Sequence, residues 1–138
     1  MSADEVQLGL PNAGPSLRLF APERHQNRSV EYFSVEIGDV SASARLRVYA
    51  YDASQLAALF ESMAREWRGW PGEKVWYSPE REFDLRATSD GRGHVTLKIC
   101  VVPQVPSPPW RFECTVPLEA GQLDRVAVEI RSFVDGNG

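Results

Sequence analysis

Along residues 32–51, YFSVEIGDVSASARLRVYAY, apolar and polar positions alternate. Phe33, Val35 and Ile37 fall on one side of an extended chain. Val40, Ala42, Ala44, Leu46 and Val48 keep the same period beyond Gly38 and Asp39. A period of two marks a half-buried strand. A two-residue turn at Gly38 and Asp39 pairs Ile37 with Val40, Val35 with Ala42 and Phe33 with Ala44, so every apolar residue lands on one face. Upstream, Leu17, Leu19 and their neighbours to Phe20 suggest a first strand, and residues 21–29 read as a polar loop. Residues 1–15 carry Pro11, Gly14 and Pro15 and little periodicity, and are expected to be a flexible lead-in.

The period then becomes 3.6. Leu56, Leu59, Phe60, Met63, Ala64 and Trp67 form one stripe of a helix over about 53–68. Asp52 and Gln55 resemble a capping box at its start, and Gly69 supplies the left-handed residue that ends it. Glu61 and Arg65 sit four apart on the polar side, within pairing reach. On this reading Trp67 belongs to the buried stripe. WPG at 70–72 is a tight turn, and Val75 to Ser78 is a short strand stopped by Pro79.

A second hairpin follows, 83–89 and 94–101 around DGRG. Phe83, Leu85 and Ala87 match Ile99, Leu97 and Val95, which sets Asp84 opposite Lys98. PQVPSPP at 103–109 holds too many prolines for a central strand or helix and reads as an exposed loop. Trp110, Phe112, Cys114, Val116 and Leu118 share a face of the next strand, with Cys114 near Leu97 and Cys100 pointing to the other side. That excludes a Cys100–Cys114 disulfide. Leu123, Val126, Ala127, Ile130, Phe133 and Val134 mark a helix over about 121–134, and residues 135–138 a frayed end. The expected fold is α+β, with a mostly antiparallel sheet of six or seven strands and both helices on one face, forming a single domain over 16–134.

Composition narrows the function classes. The 138 residues carry 19 acidic and 15 basic side chains, a net charge of −4, which argues against a nucleic-acid binder needing a basic face. No apolar run approaches membrane-spanning length, and the N-terminus lacks the basic and apolar regions of a signal peptide. The two cysteines form no disulfide framework, so the expected location is cytoplasmic, with reduced thiols. Two histidines and two cysteines without CxxC or HxxxH spacing offer no zinc set, and there is no P-loop, GxSxG or GxGxxG, so no metal or cofactor is expected.

Some polar clusters invite chemistry. Asp90, Arg92 and His94 would bring an acid, a base and an imidazole together, yet DGRG has the composition that a hairpin turn needs for geometry alone. His94 and Cys100, six residues apart on one strand, stand about 20 Å from each other and cannot act as a pair. His25 could meet Cys100 only through tertiary folding. Glu66, Glu73, Glu80 and Glu82 surround the tryptophan region, and carboxylates flanking aromatics occur in glycoside hydrolases, which need a longer cleft than this chain builds.

Three of the four tryptophans fall in EWRGWPGEKVWY, residues 66–77. Trp76 and Tyr77 alternate, so one faces in. Trp70 either packs on Trp67 or Trp76 as a corner staple, the favoured reading, or faces water as a binding centre. Arg68, Trp70, Glu73, Lys74, Trp76, Arg92 and His94 make up the candidate binding surface, since tryptophan and arginine are enriched at binding hot spots.

The run WRGWPGEKVWYSPE (67–80) followed by LRATSDGRGHVTLKI (85–99) resembles a family of small, mainly actinobacterial proteins known as a domain of unknown function. The likeness covers most of residues 30–134. It implies that Arg68, Gly69, Trp70, Gly72, Trp76, Ser78, Gly93 and His94 match the family's pattern, and it brings no activity or cofactor. The PQVPSPP loop is outside it. The first expectation is therefore a non-enzymatic protein-binding domain, regulatory or of the immunity type, acting as monomer or homodimer on a protein partner. The alternatives are a small-ligand or carbohydrate binder using Trp70 and Trp76, and a hydrolase using Asp90, His94 or the glutamates.

Overall fold

The structure, a computed structural model, describes residues 4–24, 29–51, 53–104 and 110–136. Its elements are β1 (Glu5–Gly9), β2 (Ser16–Arg24), β3 (Val30–Gly38), β4 (Ser43–Tyr49), α1 (Ser54–Arg65), β5 (Lys74–Tyr77), β6 (Phe83–Ser89), β7 (His94–Val101) and β8 (Phe112–Glu119). A 3-10 turn, Ala120–Gln122, leads into α2 (Leu123–Asp135). The α+β class and the antiparallel pairing agree with the sequence. The single sheet of six or seven strands does not: there are two four-stranded sheets, ordered β1-β2-β3-β4 and β5-β6-β7-β8. The helix α1 separates two meanders, so the chain runs through four strands and a helix twice, although no sequence repeat signals it.

The extra strand is β1. Within the expected lead-in, Val6 and Leu8 are buried and pair with Leu19 and Leu17 of β2. Two apolar positions are too few to register as a period. Likewise β2 runs on to Arg24 through a bulge between Phe20 and Glu23 that holds Ala21 at φ +51 and accommodates Pro22. Residues 25–28, with His25, lie outside the described residues, as do Asp52 and 105–109.

Both hairpins form with other registers than expected. Ile37 pairs with Ala44, Val35 with Leu46 and Phe33 with Val48. The turn is a four-residue loop closed by the Asp39 N–H donating to Ala42 O at 2.8 Å, with the Asp39 carboxylate accepting the Val40 N–H at 2.7 Å. Val40 is thereby left in solvent. In the second hairpin Phe83 pairs with Val101, Leu85 with Ile99 and Ala87 with Leu97, so Asp84 faces Cys100 and Arg86 faces Lys98. Here the Asp90 N–H reaches His94 O at 3.1 Å, and Gly91 and Gly93 of the tip are both at positive φ. Each displacement is even, so the apolar face is unchanged. Cys114 sits opposite Ile99 rather than Leu97, Cys100 lies on the opposite face, and both thiols are free.

The helices pack on each other, with α2 also against β1 and β3 and α1 against β5. The α2 stripe is buried as expected, and its entry is locked by a capping box between Glu119 and Gln122. Glu61 does not pair with Arg65; its partner is Arg131 of α2. Phe33 of the first sheet meets Phe83 of the second and Phe133 of α2 edge-on, each at 5.9 Å, so both sheets and α2 close on one core. Strand β8 abuts the first sheet, where Cys114 Sγ lies 3.9 Å from Ser16 O.

Candidate functional site: the tryptophan corner and the groove beside it

Helix α1 stops at Arg65, earlier than its periodicity predicts. The Gly69 N–H donates to Glu66 O at 2.8 Å, and residues 66–68 form a turn. Trp67 consequently leaves the buried stripe. It is 52% exposed, with the Arg68 guanidinium 4.9 Å over its ring, which corrects the expected core placement. Trp110, also expected on an apolar face, precedes β8 and is 41% exposed.

The chain then turns inward. Gly69, at φ +127, lies against the DGRG hairpin so closely that a Cβ there would stand 3.1 Å from Gly91 Cα and from Ser89 Oγ. Trp70 follows into the interior, 8% exposed, and its Nε1 donates to Ala87 O at 3.1 Å. Trp70 is thus a corner staple, and its bond is to the β6 backbone. Trp76 faces inward and packs edge-on against Phe83 at 5.7 Å, while Val75 and Tyr77 face out. The two sequence blocks therefore meet in space. Ser78 completes the second turn: it is fully buried, and its Oγ accepts the N–H groups of Glu82 and Phe83 at 3.1 and 3.2 Å.

On the hairpin tip the Asp90 carboxylate accepts the N–H groups of Arg92 and His94 at 2.7 and 3.1 Å and meets His94 Nδ1 at 2.8 Å. Glu119 stands 3.6 Å from His94 Nε2. The Arg92 N–H, chiefly, holds Asp90 below the usual carboxylate range. The bond from Asp90 and the field of Glu119 raise His94 above the ordinary imidazole value. Both partners are exposed, and the carboxylate that holds the ring also shapes the turn. Arg92 projects into solvent beside it.

The remaining expected residues divide. Lys74 reaches from β5 to α1, donating to Ser62 Oγ at 2.6 Å and to Glu66, with its Nζ 5.2 Å from the Trp70 ring. Glu73 pairs with Arg86 at 3.5 Å. Glu66 and Glu73 are therefore each matched to a cation. Glu80 and Glu82 lie elsewhere, by the end of β4, where burial first and Glu80 second raise Glu82. The four glutamates do not converge on one cleft. Among the described residues no cluster of three or more His, Cys, Asp or Glu could hold a metal ion, and no helix is long and apolar enough to cross a membrane.

Sequence reasoning missed the groove between α1 and β5. It has a volume of about 440 Å³ and is open to solvent. Ala58, Leu59 and Ser62 form the helix side, and Lys74, Val75 and Trp76 the strand side. Among the described residues, strand β5 ends its sheet and pairs only with β6. The signal for such an edge was present: a four-residue strand closed by Pro79.

A family model described as a family of unknown function (DUF6228) matches residues 9–137. No curated protein and no solved structure matches the chain.

Proposed function

The chain belongs to the DUF6228 family of unknown function, and on that premise we propose that it is a non-enzymatic, cytoplasmic protein-binding domain, regulatory or of the immunity type. The observation that carries this reading is the exposed Trp67, held under Arg68 in the turn after α1, together with Val75 and Tyr77 exposed on β5. Aromatic and arginine side chains of this kind are the usual anchors of protein interfaces. Of the residues expected to bind, Arg68, Arg92 and His94 offer side chains to a partner, and Lys74 and Glu73 flank them. Trp70 and Trp76 act by holding the corner in place. A small-ligand site centred on those two rings has weaker support, because neither presents a face. We read the WRGW block and the DGRGH hairpin as the family's signature, and its members as bacterial and mainly actinobacterial.

Affinity capture from the source cell tests the proposal, using the full chain and a Trp67→Ala, Arg68→Ala variant. Both side chains are exposed, so the variant should keep its melting temperature. The expected result is a stoichiometric partner held by the native chain and lost from the variant. Repeated recovery of the native chain alone would count against the proposal.

A further inference from the structure

We infer that the groove between α1 and the open edge of β5 takes an extended acidic segment of a protein partner, which joins the second sheet as a further strand beside β5. This rests on the protein-binding reading above and names its mode. In an antiparallel pair, alternate residues turn their main-chain N–H and C=O toward the neighbour and the others turn them away. The Ser78 N–H donates to Phe83 O at 2.9 Å, which fixes the phase. In the register of β5 with β6, Lys74 and Trp76 are then bonded inward, and Val75 and Tyr77 direct their main-chain groups outward. The far side of β6 agrees. Asp90 pairs with His94, and the Val102 N–H reaches Glu82 O at 2.8 Å, so Asp84 and Arg86 turn toward β7 and Phe83, Leu85 and Ala87 toward β5.

The other edges are guarded in the ways that prevent strand pairing. Strand β4 carries exposed Arg45 and Arg47, β1 lies against α2 and β8, and β8 is packed against the first sheet. Strand β5 has no bulge in its register, and it shows Val75 and Tyr77 on its outer face. Beside it, α1 supplies a wall, so an added strand would have main-chain partners on one side and Ala58 and Leu59 on the other. This is the arrangement by which a groove between a helix and a strand edge binds extended peptides.

The charges decide the occupant. Both charged residues lining the groove are cationic; Lys74 is matched by Glu66, which leaves Arg65 as the charge offered to an occupant. A second copy of this chain pairing through β5 would bring a second Arg65 toward the first, whereas an acidic segment meets Arg65 with opposite charge. The edge of four residues spans about 13 Å at roughly 3.3 Å per residue, so the segment is short.

The test is selection of a random eight-residue peptide display library on the immobilised full chain. Affinities of the synthesised consensus peptide would then be measured by fluorescence anisotropy. Val75→Pro removes an outward N–H without touching a bond to β6. The expected result is an acidic, β-branched consensus whose affinity falls at least tenfold with Val75→Pro, and falls on N-methylating every second peptide amide but not those between. The N-methyl scan gives the answer on the native protein if Val75→Pro fails to fold. Peptides indifferent to both changes would overturn strand addition while leaving protein binding standing. Failure to enrich any peptide would also overturn it, as would a dimer in light scattering that Val75→Pro dissolves. A partner captured equally by the native chain and Val75→Pro would again separate the two readings, sinking this one alone.

Discussion

Arg131 of α2 donates from Nη2 and Nε to both carboxylate oxygens of Glu61 on α1, at 2.8 and 3.0 Å. The bond from Arg131 holds Glu61 below its ordinary 4.5. A carboxylate depressed in the folded state stabilises it fully above its unfolded value, and that contribution is lost as pH falls through the folded one. Both side chains are about a third exposed, so the pair contributes about 0.5–1 kcal/mol. Arg131→Met should therefore lower urea-unfolding stability by that amount at pH 7, and the gap from the native chain should narrow as pH falls below the ordinary carboxylate range. A gap of equal size above and below that range would assign the Arg131 contribution to its packing alone.

The close approach of Gly69 to the hairpin makes a paired prediction. Gly69→Ala combines φ +127 with a Cβ 3.1 Å from Gly91 Cα, and is expected to cost about 1–3 kcal/mol. Gly72 also has positive φ, +67, but its Cβ would meet nothing within 4 Å. Gly72→Ala should cost about 1–2 kcal/mol, the left-handed penalty without a clash. Chemical denaturation of the two variants orders them. Equal losses would mean that the contact between the loop and the hairpin is not what fixes Gly69.

These two glycines also show what the sequence can and cannot specify. The turn chemistry around Gly69 and Gly91 was legible, and so were the faces of β3, β4, β6, β7 and β8, because alternation determines a face whatever the pairing. Registers were not legible: whether Ile37 opposes Val40 or Ala44 depends on loop length, and both choices bury the same residues. Partition into two sheets was hidden because hairpins specify neighbours, not which meanders join. Trp67 was misplaced because a helical stripe can outrun its helix: the backbone turned at Glu66, and periodicity does not report where hydrogen bonding stops. The groove escaped notice because it is made by two elements distant in sequence.

His94 should titrate above 6.5 in two-dimensional NMR, since its bond to Asp90 and the nearby Glu119 favour the charged ring. Asp90→Asn should bring the midpoint down, and Glu119→Gln should bring it down less. A group raised in the folded state stabilises it fully below its unfolded value, and that contribution is lost as pH rises through the folded one. The hairpin tip should therefore loosen as pH rises above 6.5 and through the raised midpoint, seen as faster amide exchange at residues 90–94 after correction for intrinsic rates. A native midpoint at 6.5 would show that the pair does not form in solution.

The thiols give the last check on the second sheet. Cys100 is 4% exposed on the outer face of β7, and Cys114 is half-buried where β8 meets β2. Burial is the leading cause that raises both thiols above the ordinary value, so little thiolate forms near neutrality. With an aromatic disulfide reagent at pH 8, both should react slowly in the native chain and at once in denaturant. Single Cys→Ser variants assign the phases, with Cys114 expected to react first because it is the less buried. Cys100 faces Asp84 across the ladder, and burial chiefly raises that carboxyl as well. Asp84→Asn should therefore stabilise the fold at pH 7, and its advantage should vanish below the ordinary carboxylate range. A fast Cys100 together with a neutral Asp84→Asn would mean that this stretch of the outer face is open to water, contrary to the packing described.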